Sequence, residues 1–135
     1  IRYPDYYGID MPRLEEFCVF RATIELIRER GMNDLLQRVY EACKLELLKP
    51  KDMMRNCVRD IYKPFSTEEI NQKVAEMLRP EGLKTPVELV FQSIDGLHEA
   101  IPNHHGDWYF TGKYPTPGGT KLCNQAFVNY IDRQK

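Results

Sequence analysis

The chain has 135 residues, 42% of them hydrophobic and 29% charged, with a net charge of −1 at pH 7. That length suits one domain, and the composition is that of a folded chain able to bury a core rather than a disordered one. The small net charge gives no global field for nucleic acid or an anionic membrane, and the apolar runs are too short to span a bilayer.

The opening residues IRYPDYYGID lack the basic-then-apolar pattern of a signal peptide. They enter with neither a helix cap nor a strand of useful length, which reads as a cut end. From Asp10, a good N-cap followed by Pro12 in the first turn, a helix is expected to run to Glu29 and stop at Gly31. A second helix is expected from Asn33, with Leu36, Val39, Tyr40, Cys43 and Leu47 on one face and Pro50 ending it. A third, shorter helix is expected around Met54, Cys57, Val58 and Ile61, ended by Pro64. The residues STEE at 66–69 spell a capping box, with Ser66 and Glu69 as its partners, and the helix behind it presents Ile70, Val74, Met77 and Leu78.

The pattern then changes. The β-branched and aromatic run VELVFQS, 87–93, reads as a short strand, and Ser93 caps a brief helix, IDGLHEAI, ended by Pro102. WYFTG, 108–112, reads as a second short strand, and Pro115, Pro117, Gly118 and Gly119 as a turn. From Thr120 an amphipathic helix carries Leu122, Cys123, Ala126, Phe127, Tyr130 and Ile131. The expected fold is mainly α, with about five to six helices and two short β-strands. Two short strands make no stable sheet alone, which points to a body that covers them.

Little catalytic chemistry is visible. Cys18, Cys43, Cys57 and Cys123 form neither CxxC nor CxH, and read as reduced core thiols of a cytoplasmic protein. His104, His105 and Asp107 form a candidate metal cluster, but adjacent side chains diverge and no further ligand has the right spacing, so a solvated loop is the better reading. His98, on the brief helix, reads as a surface or half-buried residue. TPGGT leads into a helix between Lys113 and Lys121 and is a candidate anion site, though its ordinary reading is a turn. There is no GxSxG and no nucleophile beside a base, and the acidic pairs read as solvated or helix-N-terminal charges. The basic, amphipathic MMRNCVRDIYK reads as a solvated helix face.

Three blocks carry a resemblance: YPDYYGIDMPRLEEF (3–17), LVFQSIDGLHEAI (89–101) and FTGKYP (110–115). In this order they resemble the C-terminal part of amidophosphoribosyltransferases, the glutamine-dependent enzymes that open purine synthesis. The resemblance implies an α+β C-terminal fragment of a phosphoribosyltransferase-type enzyme, inactive by itself. Its partners would be the glutaminase and phosphoribosyltransferase domains of the parent, in a homo-oligomer, with magnesium in the parent's site and no nucleic acid or membrane. The parent would make 5-phosphoribosylamine from phosphoribosyl pyrophosphate and glutamine. The N-terminal cysteine nucleophile and the acidic-pair loop of the family have no counterpart here. The resemblance places Tyr7, Gly8, Asp10 and Lys113 nearest a nucleotide or phosphate, in positioning roles. Where some members hold an iron–sulfur cluster on cysteines, this chain has Asp5, Gly106 and Tyr109, so no cluster is expected. On this reading residues 1–135 are one module. Residues 28–83 are an inserted three-helix segment, and 84–135 are strand–helix–strand plus a C-terminal helix. The alternative is a free-standing helical module that docks a partner through the apolar faces at 36–47 and 54–61.

Overall fold

The computed structural model describes residues 17–107 and 117–135. They form helices α1 (Cys18–Glu29), α2 (Asn33–Glu46), α3 (Thr67–Leu78), α4 (Ile94–Ala100) and α5 (Pro117–Asp132), with 3-10 turns at Lys51–Met53 and Val58–Ile61. The fold is mainly helical, and no helix among the described residues is long and apolar enough to cross a membrane.

Local sequence accounts for the helix ends. Gly31 follows α1 with φ +65°, a conformation that disfavours a Cβ. There its N–H donates to the Arg28 carbonyl at 3.0 Å, and the Met32 N–H to the Ile27 carbonyl at 2.9 Å. This pair of bonds is a Schellman ending, and it reverses the chain into α2. At the start of α3 both halves of the capping box form. The Ser66 hydroxyl accepts from the Glu69 N–H at 3.2 Å, and the Glu69 carboxylate accepts from the Ser66 N–H at 2.7 Å. The Ser93 hydroxyl caps α4 by accepting from the Gly96 N–H at 3.0 Å.

The helices share one core. α1 packs on α3 and α2 on α5, while α5 also covers both 3-10 turns. Phe20 of α1 meets α5 edge-on, with ring centroids 6.2 Å from Phe127 and 4.9 Å from Tyr130. Ile27, Cys43, Cys57, Val58, Ile61 and Ile70 close the interior. Residues 28–83 therefore build this core jointly with α1 and α5. Polar contacts line its margin. Lys73 pairs with Glu29 at 2.9 Å, Arg30 pairs with Glu69, and the Tyr40 hydroxyl donates to Asp132 at 2.6 Å.

Five expectations change, the first being the start of α1: Phe17 is extended, so the helix begins at Cys18 and not from Asp10. Residues 87–93 are not a strand, and no strand occurs among the described residues. Strand propensity measures fit to a pleated, half-buried surface, and this run has none beneath it: Val90 is 89% exposed and only Leu89 touches the core. The second expected strand, 108–112, lies outside the described residues. The third helix is replaced by an irregular segment ending in the Val58–Ile61 turn, for a reason given below. Pro117, Gly118 and Gly119 are helical rather than a turn, since proline's fixed φ suits a first turn. Finally, Val39, Tyr40, Cys43, Cys57, Val58 and Ile61 are buried, so most of the faces at 36–47 and 54–61 pack inside the chain.

Removing the cap with Ser66→Ala is expected to cost about 1 kcal/mol. The urea midpoint should fall with an unchanged slope, measured by helical circular dichroism.

Candidate functional site

The most organised polar region sits where α2, the 54–63 segment and α5 meet. Asn124 of α5 is fully buried. Its carbonyl oxygen accepts from the Cys57 N–H at 3.1 Å and lies 3.5 Å from the Cys43 sulfur, and its amide donates to the Arg55 carbonyl at 3.0 Å. Nearby, Glu46 at the end of α2 accepts from the Arg55 N–H at 2.8 Å and the Lys49 ammonium at 2.6 Å. The Asn56 side chain takes the Val58 N–H at 3.1 Å.

These contacts explain the missing helix. The N–H groups of residues 55, 57 and 58 are each taken by a side chain, so they are not donated to carbonyls four residues back. Cys57, Val58 and Ile61 are buried, but the backbone that carries them is a turn and not an α-helix.

Charges follow from this geometry. Lys49 and then the Arg55 N–H hold the Glu46 carboxyl below its usual range. Burial pushes Asp60 up, but hydrogen bonds from Lys63 and Arg55 outweigh it and leave the carboxyl below the ordinary value. Cys57 is lowered, first by a hydrogen bond from the Cys43 thiol, while that bond and burial push Cys43 up. Both residues are fully buried, so the pair is part of the core and not an open nucleophile.

Over this junction opens a cleft of about 570 Å³, its lining including Arg55, Arg59, Asp60, Tyr62, Lys63 and Phe65. Asp60 pairs with Arg55 at 3.1 Å and with Lys63 at 2.6 Å. In the sequence these cations belong to what looks like a solvated helix face. The signal available was their spacing, with a positive residue at every fourth position from Arg55 to Lys63.

The histidines expected on a solvated loop lie at the end of α4 and in the loop that follows it. His98 of α4 bonds Asp107 at 2.8 Å, His104 stands 3.5 Å from the same oxygen, and His105 is exposed. Gly106, at φ +121°, turns the loop that makes this possible. No group of three or more potential metal ligands occurs among the described residues. Tyr7, Gly8, Asp10 and Lys113 lie outside the described residues, as do Asp5 and Tyr109. Lys121 is exposed on α5. No known family, curated protein or solved structure matches the chain.

Asn124→Ala should destabilise the protein by about 2–4 kcal/mol, because it leaves a cavity and strands the Cys57 N–H and Arg55 carbonyl. Chemical denaturation followed by helical circular dichroism checks this.

Glu46 supplies a pH signature. A depressed folded pKa stabilises above the unfolded value, near 4.3, and that stabilisation is lost as pH falls through the folded value. Glu46→Gln is expected to cost about 1–2 kcal/mol at pH 7 and progressively less below about pH 4. Melting temperatures of both proteins across pH 3–7 measure the convergence.

Proposed function

We propose that the chain is a non-catalytic C-terminal part of an amidophosphoribosyltransferase-like enzyme. The observation that carries this reading is the ordered trio of sequence blocks at 3–17, 89–101 and 110–115. Its role is structural or regulatory, and the glutaminase and phosphoribosyltransferase domains of the parent do the bond-making, with magnesium at the phosphoribosyl pyrophosphate site. Tyr7, Gly8, Asp10 and Lys113 are the residues proposed to lie nearest nucleotide or phosphate in the assembled enzyme.

The placement of the middle block supports it. Residues 89–101 contribute no fully buried side chain, although they include Leu89, Val90, Phe91, Ile94 and Ile101. Val90 and Ile101 are 89% and 53% exposed. Apolar side chains left open in this way are what a covering body would bury.

A second reading, a helical interaction module, draws support from Leu45, Leu48 and Met53. They are 64%, 83% and 68% exposed around the end of α2 and the turn that follows. It does not account for the three blocks, and its proposed docking faces are largely internal.

The deciding experiment starts with an antibody raised against this chain, used to purify the native gene product from source cells. A product several times heavier than 15.9 kDa that releases pyrophosphate from phosphoribosyl pyrophosphate only when glutamine or ammonia is present is expected. A product of 15.9 kDa, or a larger one without that activity, overturns the proposal.

A further inference from the structure

We propose that the cleft of Arg55, Arg59 and Lys63 is a binding site for a phosphoryl group carried by a small molecule. The three cations and the single carboxylate of Asp60 give the cleft walls a net charge of +2. The whole chain carries −1, so this is a local concentration of positive charge and not part of a general basic surface. Two guanidinium forks and one ammonium suit the several oxygens of a phosphate dianion better than the two oxygens of a carboxylate.

The site is also held in place. The Arg55 backbone is fastened on both sides, its N–H to Glu46 and its carbonyl to Asn124. Asp60 lies between Arg55 and Lys63 and restrains both side chains. Buried Tyr62 and Phe65 form the apolar part of the wall. A solvated charged face needs none of these restraints, and each of them lowers the ordering entropy that binding must overcome. Asp60 is the built-in competitor. An arriving phosphoryl group shares Arg55 and Lys63 with it, which keeps the site from binding every anion tightly.

This inference rests on the cleft alone and stands or falls separately from the enzymatic reading. The test is a titration of the 135-residue chain, labelled with 15N, using inorganic pyrophosphate, inorganic phosphate and a simple phosphate monoester in turn. Saturable amide shifts confined to residues 55–65, with a Kd below about 1 mM for at least one probe, are expected. The three probes distinguish a free phosphate ligand from an esterified one. Arg59→Gln and Lys63→Gln should each weaken binding about tenfold, whereas Lys84→Gln, an exposed cation between α3 and α4, should change it less than about twofold. Lys63 is 69% exposed, so Lys63→Gln keeps the test sound should Arg59→Gln fold poorly. The proposal is overturned by absence of saturable shifts up to about 10 mM, by equal sensitivity to Lys84→Gln, or by equal binding of a poly-glutamate peptide.

Discussion

Asn124 makes its hydrogen bonds where no water reaches, and the local architecture depends on where they go. The amide joins α5 to the Arg55 carbonyl, the Cys57 N–H and the neighbourhood of Cys43 in α2. In a low-dielectric interior, a polar group costs heavily when unpaired and holds firmly when paired. The arrangement therefore has little slack: the 54–58 segment must pass α5 in one register, or several polar groups lose their partners together. With Glu46 and Asn56 taking the adjacent N–H groups, the chain leaves α2 and turns instead of starting a new helix.

The rest of the core is ordinary by comparison. Phe20 wedges between Phe127 and Tyr130, and the aliphatic residues of α1 and α3 fill the space beside them. The exposed ion pairs around the rim, such as Lys73–Glu29, add modest terms that salt would screen. Residues 79–107 lie at the margin of this body, with Leu89 packed against its core. They contribute no buried residue, and α4 is held by its Ser93 cap and by the His98–Asp107 contact at its far end.

The polar junction and the basic cleft are two faces of one construction. The contacts that prevent a helix at 54–58 also bring Arg55, Arg59 and Lys63 to a shared opening, with Asp60 between them. On a continuous helix these residues would form a stripe along one side, open to solvent and free to reorient. The sequence blocks behind the enzymatic reading lie elsewhere in the chain, and the one that is described in full, 89–101, contributes no buried side chain. The enzymatic reading and the phosphoryl-site reading thus draw on separate residues.

Sequence alone determined whatever depends on near neighbours along the chain. The helix at 33–46, the stop at Gly31, the Ser66–Glu69 box and the Ser93 cap were all legible, because each needs only residues within about one turn of one another. The buried character of Cys57, Val58 and Ile61 was legible too, as apolar spacing. Tertiary structure decided what those spacings could not carry. Asn124 lies 67 residues from the Cys57 N–H it accepts from, and nothing near Cys57 announces such a partner. His98 rather than His105 meets Asp107 because a loop bends the chain back to α4, whereas adjacent histidines point apart. The run 87–93 has the residues of a strand, but a strand exists only when a second backbone pairs with it. Composition can record a preference for that pairing, and only the fold can supply the partner.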